Sequence, residues 1–324
     1  MRSDERRIYF FDLTLKKLGK SSHAPTLTEV LDVWKECFDG ENAFHARQSG
    51  DVLYFISDMR LDEVEQTATL LISVIDKAMA DAAYGHLDTR ETRIIRKEER
   101  EGGHLSAHLV ISLNPLKANT HLCLLEGMRR LNASSVQFLL NSLLRKDHKA
   151  EPDRFTYPDP SGAKTKAGAI RRIPYLPLID LGGHPSEMLI DEIERGVIRH
   201  LSFIQTKEQQ PFSDDPYLDE AEFQLKVTVK QNIPQQKRWE RIAKAITSRK
   251  TEFSHGRISF VDSNHSVRNV EFDTENATID NTQYVKFRTI NKISPPLAEG
   301  AARIVDHFEG RMVALLKDDQ ESGE

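Results

Sequence analysis

A polar segment near the middle of the sequence divides the chain into two parts. Residues 146–174 are rich in charged residues and contain several residues that break helices and strands, namely Pro152, Pro158, Pro160, Gly162, Gly168 and Pro174. Little in such a segment can pack, and 324 residues exceed the usual size of a single core. We therefore predict an N-terminal domain at 1–146, a polar hinge at 147–172, a C-terminal domain at 173–317 and a polar tail at 318–324.

Hydrophobic periodicity predicts both strands and helices in the N-terminal part. Residues 8–13 form a strand pattern, and residues 26–38 place apolar side chains on one helical face. Two further helices are expected at 120–131 and 134–145. A strand pair is expected at 89–96 and 105–113, joined by a charged turn.

The C-terminal part also mixes both element types. Residues 222–231 alternate strictly between apolar and polar, which predicts a strand, and residues 235–250 follow as a helix. A meander is expected at 256–261, 267–273 and 282–290, and a last helix at 297–316. The chain therefore has an α+β pattern: two domains with mixed or antiparallel sheets flanked by helices.

Composition limits the classes of function. No apolar run approaches the roughly 18 residues that a membrane span requires, so direct membrane insertion is not expected. The charged N-terminus leads into a strand rather than a secretory signal. Cys37 and Cys123 lack partners at metal-binding spacing, which favours buried thiols in a reducing cytoplasm. The net charge of −5 means that any nucleic-acid site must be a local basic patch.

The strongest chemical signal is a basic strand-helix unit. Residues 226–250 carry a net charge of +7, so the remainder of the chain sums to −12. The basic residues of this unit are Lys226, Lys230, Lys237, Arg238, Arg241, Lys244, Arg249 and Lys250. The predicted helix places an apolar stripe (Trp239, Ile242, Ala243, Ile246) opposite a basic row (Lys237, Arg241, Lys244). Such a row can bind the phosphates of DNA without reading bases. Alternatively, it is a solvated face compensated by the acidic loop 213–222.

The predicted hinge is a second basic segment. Its exposed cations are expected to be Lys164, Lys166, Arg171 and Arg172, and residues 145–172 carry a net charge of +4. A flexible basic linker can wrap a phosphate backbone, but the same composition also suits a linker that is merely soluble.

Three groups of residues have side chains of the types found in catalytic or anion-binding sites, but none has a complete site pattern. Glu101, His104 and His108 lie close together in the sequence, but a metal site would need a further ligand. The element Gln224-x-Lys226 on a strand is similar to one found in some metal-dependent nucleases. Residues 182–186 precede a helix N-terminus, where either an anion or a cap can sit. No catalytic residue, metal ligand or cofactor is predicted.

The C-terminal hairpin carries a family resemblance. Residues 258–264 and 270–273 form an apolar strand, a short polar turn and an apolar strand that ends in an acid, and a strand region and a terminal helix follow. Residues 255–316 thus resemble the C-terminal region of the RdgC recombination-associated and RexA phage-exclusion proteins. The resemblance implies DNA binding without sequence specificity, by a dimer of two-domain subunits joined at a hinge. It also implies a role in phage defence by abortive infection, or in recombination.

Three functions follow in order of preference. The first is a non-enzymatic, homodimeric binder of the DNA backbone, with an unidentified membrane or effector protein as a further partner. The second is a metal-dependent nuclease. The third is a non-catalytic protein-interaction subunit whose basic helix pairs with an acidic partner.

Overall fold

The computed structural model describes residues 2–18, 24–211, 219–230, 234, 237–262, 264–280 and 282–322. Its strands are β1 (Glu5–Leu18), β2 (Phe44–Arg47), β3 (Val52–Asp62), β4 (Thr67–Asp76), β5 (Ala82–Gly85), β6 (Thr92–Ile95), β7 (Gly103–Lys117), β8 (Thr120–Glu126), β9 (Thr156–Pro158), β10 (Arg172–Pro174), β11 (Leu176–Gly183), β12 (Val197–Pro211), β13 (Asp219–Val227), β14 (His255–Val261), β15 (Val267–Asp273) and β16 (Phe287–Asn291). Its helices are α1 (Leu27–Asp39), α2 (Ala133–Ala150), α3 (Glu187–Arg195), α4 (Arg238–Thr247) and α5 (Asp306–Ser322). Of the residues that the structure describes, 42% are in strands and 24% in helices, so the predicted α+β class is confirmed.

Contacts group the chain into two compact units. Unit 1 comprises residues 1–9, 13–181 and 288–324, and unit 2 comprises residues 10–12 and 182–287. This division differs from the sequence-based boundaries, because it assigns both the predicted hinge and the C-terminal helix to unit 1. In the part of the chain that the structure describes, no helix has the length and apolar character needed to cross a membrane.

Unit 1 is built on an eight-stranded sheet. Its strand order is β11-β1-β8-β7-β4-β3-β2, and β16 also pairs with β1. Helices α1 and α2 pack against each other, and the buried Trp34 of α1 donates a hydrogen bond from Nε1 to the Leu140 carbonyl at 3.3 Å. Both helices begin where the sequence supplies a cap: Thr26 forms a capping box with Glu29, and Asn132 accepts from the Ser135 amide.

Two expectations for the N-terminal part were wrong. Residues 120–131 were predicted as a helix, but β8 occupies 120–126 and every one of its residues is buried. A central strand that is covered on both faces reads as a continuous apolar run, which periodicity does not separate from a helix. The predicted pair of 89–96 with 105–113 does not form, because β6 pairs with β5, and β7 pairs with β4 and β8.

Unit 2 contains a four-stranded antiparallel sheet in the order β13-β12-β14-β15. Helices α3 and α4 contribute to a single apolar core with one face of this sheet, through Leu189 and Ile193 of α3 and Ile242 and Ile246 of α4. The predicted hairpin of β14 and β15 is confirmed. The third predicted strand of that meander is not, because β16 pairs with β1 of the other sheet.

The predicted hinge contains ordered elements. Helix α2 continues to Ala150, Phe155 is buried, and β9 pairs antiparallel with β10. The bridge between Lys164 and Ile170 extends this pairing toward a turn in which the Gly168 amide donates to the Thr165 carbonyl at 2.9 Å. We call residues 156–174 the basic hairpin, since they carry a net charge of +3. Helix α5 begins at Asp306 rather than at 297, and it continues through the predicted polar tail to Ser322.

Candidate nucleic-acid interface

Helix α4 is amphipathic in the way that its sequence predicts. Ile242 and Ile246 are buried in the unit 2 core, and the half-buried Trp239 and Ala243 pack against that core. The helix is shorter than predicted, because it begins at Arg238 and ends at Thr247. Burying the apolar stripe fixes the rotation of the helix, so that its other face is directed away from the core.

The outward face of α4 and the turn that follows the helix carry five cations, some paired with a carboxylate and some not. Lys237 lies 4.0 Å from Glu240, and Arg249 lies 3.0 Å from Glu252, so these two are partly compensated. The cations without an ion pair in the described residues are Arg241, Lys244 and Lys250, and all three are exposed. Arg241 and Lys244 stand three residues apart, which places their Cβ atoms about 5–6 Å from each other. We call Arg241, Lys244 and Lys250 the α4 cations.

Arg238 does not belong to this surface. Only 7% of the residue is exposed, and its guanidinium donates to the carbonyls of Ile193 at 3.1 Å and Gly196 at 2.7 Å. It therefore neutralises the carbonyl end of α3, where a cation is favoured. The sequence contains a sign of this role. Arg238 lies four residues before Ile242, so the helical spacing places it with the buried stripe rather than with the basic row.

Lys226 lies on the opposite face of the sheet from α4. Leu225 packs on the unit 2 core, and because successive side chains of a strand alternate, Lys226 must point away from it. Lys226 pairs in register with Ser202 of β12, and desolvation by burial, with a smaller contribution from Lys226, lowers the pKa of the nearby His200. Lys230 is exposed beyond the end of β13. Lys226 therefore does not share a surface with the outward face of α4, and its predicted role in nucleic-acid binding stays a prediction.

The basic hairpin presents the second predicted set of cations in unit 1. Lys164, Lys166, Arg171 and Arg172 are all exposed. Arg172 donates to the hydroxyl of Thr156 at 2.7 Å and to its carbonyl at 2.8 Å, so it stabilises the hairpin base. Lys164, Lys166 and Arg171 have no ion pair among the residues that the structure describes.

Glu101, His104 and His108, which lie close together in the sequence, each have a separate role in the structure. Glu101 is exposed and accepts from the Glu98 amide at 2.7 Å. His104 stacks on Phe55, and burial lowers its pKa. His108 is buried. The structure does not bring these side chains together as an acid–base site.

His108 belongs to a buried polar network that sequence reasoning did not anticipate. Its Nδ1 lies 2.8 Å from Glu126 Oε2, and its Nε2 accepts from the Val305 amide at 3.1 Å, so Nδ1 is the donor. Arg6 Nε contacts the other carboxylate oxygen of Glu126 at 2.8 Å. Because the buried polar groups of Arg6, His108 and Glu126 bind one another and nearby backbone groups, we interpret this network as structural.

The remaining motifs also have local roles. Ser186 accepts from the Leu189 amide at 3.2 Å, so residues 182–186 provide a helix cap as one of the two alternatives proposed. A Cβ atom on Gly183 would lie 2.4 Å from Val285, which explains the glycine by close packing. Gln224 and Lys226 share a face of β13, but the described residues contain no group of three metal-binding side chains. Most of the acidic loop 213–222 lies outside the residues whose side chains are described.

Comparison with known proteins returns no relative. No protein-family model matches the chain, and no curated protein or solved structure matches it. The RdgC and RexA resemblance therefore stays a prediction.

Proposed function

We propose that this protein binds the sugar–phosphate backbone of nucleic acid through the α4 cations. The observation that carries the proposal is that Arg241, Lys244 and Lys250 are exposed and have no ion pair in the part of the chain that the structure describes, while the opposite side of α4 is held in the core. Lys237 and Arg249 add to this surface, because exposed pairs such as theirs are weak and exchange readily for phosphate.

Binding of this kind is insensitive to sequence. Phosphate contacts position a protein on the duplex but carry no base information, and each one releases counterions. We therefore expect similar affinity for unrelated DNA sequences and a steep decrease of affinity with salt.

The test is a matched pair of triple charge reversals. The first variant combines Arg241→Glu, Lys244→Glu and Lys250→Glu, and the control combines Lys164→Glu, Lys166→Glu and Arg171→Glu in the basic hairpin. Both change the net charge equally, so only position distinguishes them. Fluorescence anisotropy with single- and double-stranded DNA at several salt concentrations should show binding lost in the first variant and retained in the control.

Milder alanine versions refine the test. Each phosphate contact removed should flatten the slope of log affinity against log salt by about 0.7–0.9. Wild-type protein that does not bind DNA at low salt would refute the proposal. Loss of binding in the hairpin control alone would move the site to the basic hairpin.

The wider assignments are separate proposals. A homodimer, a cytoplasmic location and a role in phage exclusion rest on the resemblance and on cysteine usage, and the two-domain arrangement with a hinge rests on composition. Cleavage that appears when Mg²⁺ is added to the same DNA would instead support the nuclease alternative.

A further inference from the structure

An isolated β-hairpin extends from unit 1 between β4 and β7. Among the residues that the structure describes, strands β5 and β6 pair only with each other, with Tyr84 opposite Arg93 and Ala83 opposite Ile94. All sixteen residues from Asp81 to Arg96 are exposed. We call this segment the arm.

The arm has a defined shape. At its tip, the Arg90 amide donates to the His86 carbonyl at 2.9 Å, and the His86 amide donates to the Glu91 carbonyl at 2.9 Å. At its base, the Lys97 amide donates to the Asp81 carboxylate at 3.2 Å, and the Lys97 ammonium donates to the Lys77 carbonyl at 2.8 Å. Hydrogen bonds thus fix both the tip and the base of the hairpin. At roughly 3.3 Å per residue, its tip lies about 20 Å from its base.

The arm exposes large apolar side chains on both faces and at the tip. The exposed fractions are 56% for Tyr84, 96% for Leu87, 59% for Ile94 and 49% for Ile95. A two-stranded hairpin alone in water is at best marginally stable, and clustered exposed apolar groups of this size mark interaction sites. The arm therefore gains stability when a partner covers it.

The charge of the arm identifies the class of partner. Its three arginines and three carboxylates give residues 81–96 no net charge, whereas the basic hairpin carries +3. A neutral apolar arm is suited to a protein surface rather than to phosphate.

Unit 1 also has a matching receptor. A cavity of about 440 Å³ opens on this unit, with mostly apolar walls formed by Phe38, Ala43, Phe44, Leu53, Phe55 and Ile56. The exposed Glu41 also lines this cavity, and no ion pair involves it in the described residues. Its volume lies within the roughly 300–1,000 Å³ typical of binding pockets.

We propose that the arm of one subunit docks into this cavity on a second copy of the chain. Leu87 enters the apolar cavity, and the adjacent Arg90, which has no ion pair in the described residues, meets Glu41 at the rim. The apolar tip of the arm thus matches the apolar cavity, and the Arg90 guanidinium matches the Glu41 carboxylate in charge.

Symmetry turns this contact into a closed dimer. Under a two-fold axis each arm enters the cavity of the other subunit, so the same contact forms twice. Each subunit contributes the fourteen residues of Ala82–Ile95 and the ten that line the cavity, a number within the roughly 20–30 residues per side of a standard interface. This inference does not depend on nucleic-acid binding.

The first experiment compares Leu87→Asp with Val64→Asp. Val64 is 88% exposed in a turn outside the arm, so it matches Leu87 in exposure and chemistry. Sedimentation equilibrium should show wild type and Val64→Asp at twice the 37.0 kDa chain mass. Leu87→Asp should dissociate, with a dimer dissociation constant about 10- to 100-fold higher. A monomeric wild type at 50 µM or below, or an unaffected Leu87→Asp dimer, would overturn the proposal.

The second experiment tests the receptor by charge exchange. Arg90→Glu and Glu41→Arg should each weaken the dimer several-fold, because each places like charges in contact, and the combined variant should recover wild-type association. Both sites are exposed, so the fold is preserved in all three variants. A dimer that Glu41→Arg leaves unchanged, or that the combined variant does not restore, would show that the arm docks elsewhere and would refute the proposed contact.

Discussion

Replacing Arg6 with Met should strongly destabilise unit 1. The side chains of Arg6 and Glu126 are 1% and 3% exposed and form an ion pair at 2.8 Å. The same guanidinium donates to the carbonyls of Leu297 at 3.3 Å and Ala298 at 3.2 Å. Met fills a similar volume but supplies no charge, so the carboxylate of Glu126 loses its cation within the interior.

The size of the effect follows from these contacts. Removing one partner of a buried pair costs about 3–5 kcal/mol, because the other charge stays desolvated. The unpaired carbonyls of Leu297 and Ala298 increase that cost, whereas the hydrogen bond that Glu126 keeps with His108 reduces it. We expect a decrease of about 3–4 kcal/mol in the free energy of unfolding.

Urea unfolding can isolate this change, because the two tryptophans report on different units. Trp34 is buried in unit 1, so its fluorescence in a Trp239→Phe background follows that unit. As a control, the double variant Arg6→Met/Glu126→Leu removes both charges and should be more stable than Arg6→Met alone. A loss below 1 kcal/mol, or a double variant that is less stable than the single one, would refute the reasoning.

Three further outcomes are expected. Arg238→Met should destabilise unit 2 by about 1.5–3 kcal/mol in urea, because its charged hydrogen bonds to carbonyls are lost, while the DNA affinity of the folded protein is unchanged. Trp239→Ala should cost about 1–3 kcal/mol in urea unfolding followed by far-UV circular dichroism, less than a fully buried aromatic residue, because Trp239 is half-buried. Burial, with a smaller contribution from Glu29, raises the pKa of Tyr175 to about 12. The stability that the neutral Tyr175 side chain contributes is therefore complete below pH ~10 and is lost as the pH rises towards ~12. Urea midpoints measured against pH should show this loss for the wild type and not for Tyr175→Phe.

Local patterns in the sequence predicted the elements that depend on local chemistry. Thr26, Asn132 and Ser186 cap the helices that follow them, and the stripe of α4 packs as its spacing predicts. These features require only neighbours within a few positions, so a single sequence contains the necessary information.

Features that depend on distant partners were not predictable in this way. Arg6 and Glu126 are 120 positions apart, and no spacing rule links them. The strand β5 has Tyr84 as its one residue that favours strands, beside two alanines and a glycine, so local propensity gave little indication of its pairing with β6. Whether Lys226 lies on the same side of the sheet as α4 depends on which face of the sheet the helix packs against. The topology of unit 2 determines that face, and the sequence of the strand alone does not.

The discontinuity of unit 1 has a consequence for synthesis. Residues 288–324 leave the ribosome after the whole of unit 2, yet they complete unit 1. Until they emerge, the guanidinium of Arg6 lacks the carbonyls of residues 297 and 298, and His108 lacks the amide of Val305. A nascent chain must therefore hold an incomplete unit 1 while about a hundred further residues are translated, and during this interval a chaperone could bind the groups that later residues bury.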